Sequence, residues 1–295
     1  MQIYGMGKPP IGVAFDAAFG NSIDSALALA LLYGLQGKNE SRVIGVTVSK
    51  NCFNAADFAS ILVRFYTGEP NPFSGLTPIG MTLAGKQSDD TPMIASVVGK
   101  PDYARDIQKM NDTADPVATV RNALSAQHDQ NALVVLAGPA TNLADLLALP
   151  GAKPLITAKV KRLVIAGGPD FESDAAAAKK VLADWPSPIA IAPPELGAAI
   201  PFPGSAIEKD FAWSEKHPIV EAWRATGGSA PDAPATALAA ALYAVRADQN
   251  LFTLNGRTLA ADPVQKEKIQ QAYAELASTK PVGRPVRFRP QQKKQ

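Results

Sequence analysis

The stretch Ile11 to Leu35, IGVAFDAAFGNSIDSALALALLYGL, leaves this chain few folds to choose from. The apolar run Ile11 to Phe15 suits a buried strand, ending where Asp16 begins the loop AAFGNS, and Gly20 lets that loop turn sharply. From Ile23 onward Ala, Leu and Tyr dominate up to Gly34, which offers a stop, while Asp24 and Ser25 sit where a helix N-terminus takes side-chain oxygens. Strand, loop and helix in that order place Asp16 at the carboxyl end of a strand, facing the positive end of the next helix. In open α/β sheets that is where ligands bind.

The same alternation continues along the chain. Val43 to Val48 is a second β-branched run, followed by helical spacing from Ala55 to Tyr66 and the breaker Gly68-Glu69-Pro70. Between Asn71 and Asp115 the pattern loosens, with one short candidate strand at Thr77 to Gly80. Pro116 to Gln127 reads as a helix and Ala132 to Ala137 as a strand, after which Thr141-Asn142 opens the helix LADLLAL. Val160 to Ala166 is a strand ending in Gly167-Gly168-Pro169, Asp174 to Ala183 a helix, and Pro188 to Ala192 a strand. Ala233 to Val245 is a strongly apolar helix, with Pro234 tolerable in its first turn. This order predicts a mainly parallel central sheet with helices on both faces. A single domain is expected over residues 1–280, and the Pro-rich basic stretch 281–295 is expected to hang off it.

Composition removes several function classes. A net charge of +2, without a basic stripe interleaved with aromatics, indicates neither nucleic acid nor a membrane surface as partner. One cysteine, Cys52, and two histidines cannot build a zinc site of the usual structural types. The N-terminal residues MQIYGMGKPP have no apolar signal core, so the chain as given is expected to be cytoplasmic. Gly5-Met6-Gly7-Lys8 lacks the spacing of a Walker motif, and no G-x-S-x-G elbow is present.

The segment FDAAFGNSIDSALALALL resembles the opening motif of the inosine-uridine preferring nucleoside hydrolases, which in the longer-loop branch runs roughly D-T-D-M-G-N-D-I-D-D-A-L-A. VIGVTVSKN resembles that family's second strand and the asparagine after it, VVLAGPATNLADLL its G-P-L-T-N-L-A segment, LVIAGG its M-G-G strand, and LYAVR at 242–246 a helix near the end. The resemblance implies the family's α/β fold and a calcium-dependent hydrolase of the N-glycosidic bond of ribonucleosides. In such an enzyme a carboxylate-bound cation holds the ribose hydroxyls and the attacking water, and an aspartate of the same loop takes the water's proton.

Carried over position by position, the match fails at the carboxylates. The family's first aspartate is Asp16, but the next, a metal ligand and the usual base, falls on Ala18, and the motif's last falls on Ser25. Asp24 matches an aspartate that contacts ribose in the family, and it is the nearest carboxylate able to stand in as base. The distal ligand falls on Ala237, with Asp232 upstream as a substitute only if its loop is re-routed. A backbone carbonyl ligand falls at Ala137, and Asn51 matches the asparagine that faces the nucleoside. The Glu-x-Asn sugar segment has no counterpart; Asp170, Glu172 and Asp174 lie nearby without its spacing.

If any metal is bound, Asp16, Asp24 and the Ala137 carbonyl remain to hold it; weak or absent calcium binding is expected. Asp16 reads better as a loop carboxylate accepting backbone N–H bonds. Asp24 reads equally as a pocket contact or a helix-terminal carboxylate. His128 and His217, in the polar stretches AQHDQ and EKHPI, are expected at the surface, and Trp185, Trp213 and Trp223 in packing. Three readings follow: a nucleoside hydrolase with a remodelled site at Asp16, Asp24 and Asn51, a catalytically silent relative that binds a nucleoside or sugar, and a regulatory subunit that works through its surface. Family members often form dimers or tetramers, so a homo-oligomer stays open.

Overall fold

The computed structural model of the chain describes residues 9–68, 77–227 and 232–281. β1 (Ile11–Ala17) leads into α1 (Ile23–Gly37), and β2 (Ser41–Val48) into α2 (Phe53–Thr67). β3 (Ile79–Met81) is followed by the short α3 (Pro92–Ala95) and by α4 (Pro116–Ser125). β4 (Ala132–Ala137) precedes α5 (Thr141–Ala148) and α6 (Ala152–Lys159), and β5 (Val160–Ala166) precedes α7 (Pro169–Glu172) and α8 (Ala175–Asp184). After β6 (Ile189–Ala192) come α9 (Pro194–Ala199), α10 (Gly204–Asp210), α11 (Pro218–Arg224) and α12 (Thr236–Arg246). A hairpin of β7 (Thr253–Asn255) and β8 (Thr258–Ala260) and then α13 (Lys266–Ala277) complete the described chain.

The strands form one eight-stranded sheet in the order β3-β2-β1-β4-β5-β6-β8-β7, parallel except for β7. Alternation along each strand divides the core in two. Val13, Phe15, Ala17, Leu133 and Val135 face the larger cluster with α1, α2 and α12. Ala14, Val134 and Leu136 face the smaller one with α4, α5, α6 and α8. α1 is buried on every side from Ile23 to Leu35 because its Ala and Leu residues leave no polar face. It packs against α12, α13, α2 and α11 as well as β2.

Several boundaries differ from the sequence reading. β1 runs through Asp16 and Ala17, because both pair in register with β2 and β4, so Asp16 belongs to a strand and not to a loop. Gly34 does not stop α1, which continues to Gly37. Its missing side chain instead lets the Leu276 carbonyl of α13 approach the helix backbone. The hairpin β7-β8 and α13 have no counterpart in the sequence reading. The stretch 282–295, the segment Gly5 to Lys8 and the breaker Glu69-Pro70 lie outside the described residues. Among the described residues no helix is long and apolar enough to cross a membrane.

A Cβ on Gly34 would strike the Leu276 carbonyl oxygen and come within 2.8 Å of its carbonyl carbon. Gly34→Ala is therefore expected to lift α13 from α1 and destabilise the fold by about 1–3 kcal/mol, despite alanine's better helix propensity. An unchanged denaturation midpoint would contradict that packing.

Candidate functional site

Asp16 stands at the carboxyl end of β1, next to the centre of the sheet, with its side chain on the face covered by α5. Its Oδ2 accepts the Thr47 hydroxyl of β2 at 2.6 Å and the Asn142 amide of α5 at 2.7 Å. Neighbouring strand and covering helix thus converge on one carboxylate, which is 1% exposed. Asp16 Oδ1, Asn142 Oδ1 and Ser49 Oγ are buried without a hydrogen-bond partner of good geometry. Ser49 nonetheless lies close enough to favour the ionised carboxylate. Burial outweighs these contacts and pushes the Asp16 carboxyl up to about 6. Gly138 makes this crowding possible, since a Cβ there would collide with Ser49 Oγ and sit 2.7 Å from the Ala18 nitrogen. The bonds to Asp16 come from two side chains rather than from the backbone N–H groups expected of a loop carboxylate.

Asp24, in the first turn of α1, does not act on its own helix. Its Oδ2 accepts the Ala237 N–H at 2.6 Å and its Oδ1 the Leu238 N–H at 3.1 Å. The reason lies in α12, whose cap position is Ala235, a residue with no side-chain acceptor for the exposed amides of a first turn. A carboxylate from another helix meets that need. Burial, opposed by these backbone bonds and reinforced by the charge of Asp170, raises the Asp24 carboxyl to about 7.

Of the other positions of the resembled motif, two are alanines, one is a serine, and the backbone carbonyl is already engaged. Ala18 is fully buried, Ser25 and Ala237 are each 3% exposed, and the Ala137 carbonyl accepts the Ala18 N–H at 3.2 Å. Among the described residues no three His, Cys, Asp or Glu side chains gather as a cation site. Asp232 is turned elsewhere, its Oδ1 accepting the Gly204 N–H at the start of α10 at 3.1 Å.

Above this layer lies a polar rim that the sequence reading missed. Lys50, just beyond β2 and 8% exposed, donates from Nζ to Asn21 Oδ1 at 2.8 Å, and Asn21 Nδ2 donates to Asp170 Oδ1 at the same distance. Burial lowers the Lys50 ammonium, against the opposing influence of Cys52, Asp170 and Asp90. Asn51 does not carry a free amide into this space. Its Nδ2 donates to the Leu83 carbonyl at 3.0 Å and the Gly85 carbonyl at 3.3 Å, and its own carbonyl accepts the Ser88 N–H, so it pins the loop after β3. A clue to the rim existed in the sequence: a lysine directly after an apolar strand is a charge with little solvent to face.

Of the remaining residues, Asp174 caps α8 through the Ala177 N–H and accepts the Thr141 hydroxyl, while Glu172 is exposed. An open groove of about 570 Å³ lined by Phe171, Glu172, Ala178 and Leu182 contains neither Asp16 nor Asp24. His128 is exposed as expected, but His217 is 1% exposed, which corrects the surface assignment. Its flanking residues are polar, yet its ring sits among Phe65, Tyr66, Phe211 and Trp213. Its Nδ1 accepts the Ile219 N–H at the start of α11. That leaves Nε2–H to face the Tyr66 hydroxyl, which donates to the Ala277 carbonyl. Desolvation drives this imidazole down to about 3. Trp185 and Trp223 are buried and Trp213 is partly buried, so all three are packing residues.

No protein-family model matches the chain, and no curated protein does. Solved structures do. The plant nucleoside hydrolase PpNRh1 is similar with a TM-score of 0.67 at 15% identity, over 92% of this chain and 99% of that one. The type III effector protein XopQ, solved with adenosine diphosphate ribose, has a TM-score of 0.70 at 15% identity, over 93% and 95% of the two chains. The inosine-uridine preferring nucleoside hydrolase from Bacillus anthracis has a TM-score of 0.65 at 14% identity, over 91% and 99%. The chain therefore has the nucleoside hydrolase fold.

With carboxyls at about 6 and about 7 when folded, against an ordinary value of 3.8, the folded chain keeps protons at Asp16 and Asp24 that the unfolded chain has released. Stability is thus expected to fall as pH rises from about 4 toward 7. Asp24→Asn removes one of these groups together with Asp170's influence on it. It should flatten the dependence between pH 5 and 8 by on the order of 2 kcal/mol. Parallel stability curves for variant and parent would refute this.

Proposed function

We propose that the chain is a nucleoside hydrolase-like protein that keeps a cleft for a ribonucleoside or sugar, while its cleavage of the N-glycosidic bond is weak or absent for want of a calcium site. The observation that carries this reading is the engagement of Asp24. Both of its oxygens hold the amides of α12 and the side chain is 8% exposed, so the one carboxylate placed to stand in as base is engaged inside the fold. Calcium takes six to eight oxygen ligands, and its affinity follows the number of charged ones. With Ala18, Ser25 and Ala237 at the other carboxylate positions and the Ala137 carbonyl already accepting a hydrogen bond, the residues do not fit that ion. XopQ was solved with adenosine diphosphate ribose, and nucleosides share with that molecule a ribose ring. That common part supports a sugar-recognising cleft as the retained feature. A regulatory role through the surface is the competing reading, and the absence of saturable nucleoside binding would favour it.

Inosine and uridine incubated with the chain and calcium should release ribose at a rate close to buffer alone, and rapid calcium-dependent release would overturn the proposal. The variant combining Ala18→Asp, Ser25→Asp and Ala237→Asp places three carboxylates in buried positions. Its melting temperature should drop in chelator, since unpaired buried charge is costly, and should recover as calcium is added. Indifference to calcium would show that these three side chains do not surround one ion.

A further inference from the structure

We propose that Lys50, Asn21 and Asp170 form a metal-independent subsite for the vicinal hydroxyls of an uncharged ribose, a refinement that rests on the cleft proposed above. The three side chains come from three separate β-α junctions. Lys50 follows β2, Asn21 lies in the β1-α1 loop, and Asp170 lies in α7 beyond β5. All three meet at the carboxyl edge of the sheet, above the buried layer of Asp16 and Asp24, where ligands of open α/β folds bind.

Lys50 is the feature that offers a ligand its donors, since Asp170 and Asp90 balance its charge without bonding its Nζ. Buried charges are ordinarily paired, because removing an ammonium from water without compensation is expensive. Lys50 is 8% exposed, yet among the described residues its Nζ makes a single hydrogen bond, to a neutral amide oxygen, and no salt bridge. An ammonium has three donors. Two are left for a guest.

Asn21 supplies the coupling. Its oxygen is taken by Lys50 and its nitrogen by Asp170 Oδ1, which fixes the amide orientation and leaves Asp170 Oδ2 as an acceptor. A cation with spare donors therefore stands one amide away from a carboxylate with a spare acceptor. Adjacent hydroxyls, each able to donate and accept, match such a pair. The ammonium then does by hydrogen bonding part of what a divalent ion would do by coordination, namely anchor the sugar.

The surrounding charge sets the class of ligand. Asp170 and Asp90 both act on Lys50, and Asp170 also acts on Asp24. Asp90 is already held by Asn54 at 2.7 Å and faces the Cys52 thiol. One lysine amid these carboxylates leaves no positive excess, so a phosphate would meet net repulsion. The subsite accordingly selects free vicinal hydroxyls over a sugar that carries phosphate at the 2′ or 3′ position.

Titration calorimetry of the full chain in chelator tests this with inosine, 2′,3′-dideoxyinosine, inosine 3′-monophosphate and free ribose. Inosine should bind at least tenfold more tightly than either its dideoxy or its phosphorylated analogue, and added calcium should change nothing. Lys50→Met should weaken inosine binding at least tenfold, and Asn21→Ala, on the exposed loop, should weaken it several-fold, with thermal melts confirming that both variants fold. Inosine should also shield the Lys50 amine of the unmutated chain from reductive methylation, a readout that needs no variant. Inosine binding that ignores Lys50→Met and Asn21→Ala, that requires calcium or that favours the monophosphate would overturn the subsite while leaving a nucleoside cleft in place. If the unmutated chain binds neither inosine, uridine nor ribose, the cleft itself is refuted and the subsite falls with it.

Discussion

A carboxylate at the start of α1 closes the N-terminus of a helix 213 residues further along the chain, and much of the molecule depends on that contact. α12 begins at an alanine cap, so its first amides have no local acceptor. Buried unpaired amides are costly, on the order of 1–3 kcal/mol each. Asp24 meets two of them and fixes the relative height of α1 and α12 against the sheet. Both helices are almost wholly apolar and would otherwise slide on one another, since Ala and Leu surfaces specify position weakly. The polar contact gives the apolar packing its register.

The second polar anchor works on the opposite face of the sheet. Asp16 joins β1 to β2 through Thr47 and to α5 through Asn142, and the absence of a side chain at Gly138 lets the strand ends crowd together beneath it. Burial raises the Asp16 carboxyl to about 6, and its Oδ1 is left without a partner. The carboxyl end of the sheet, where an α/β protein usually concentrates its chemistry, thus holds two aspartates whose hydrogen bonds point into the fold. The outward-facing polar groups belong to other residues.

Much of this architecture was legible in the sequence because parallel strands buried on both faces read as unbroken apolar runs. Val160–Ala166 and Ala132–Ala137 match their runs residue for residue. The strand-loop-helix reading of Ile11 to Leu35 likewise put Asp16 near the end of β1 and Asp24 at the start of α1, where the structure has them. Partners were what the sequence could not supply. Nothing near Asp24 in the chain hints that its acceptors serve Ala237 and Leu238, and nothing near Gly34 hints at the Leu276 carbonyl. Polar flanks misled for His217, whose burial arises from four aromatic rings, two of them about 150 residues away in the chain. α13 was missed because its lysine- and glutamine-rich face hides the inward residues Ile269, Tyr273 and Leu276.

The same partnerships hold together the carboxyl end of a sheet whose fold is shared with solved nucleoside hydrolases. In a cation site, clustered carboxylates repel one another until the ion arrives, so the empty site is a source of strain. Here Ala18 and Ala237 are buried methyl groups, and Asp24 serves α12. In the rim above, the buried Lys50 is held by one hydrogen bond to Asn21 and by the nearby charges of Asp170 and Asp90.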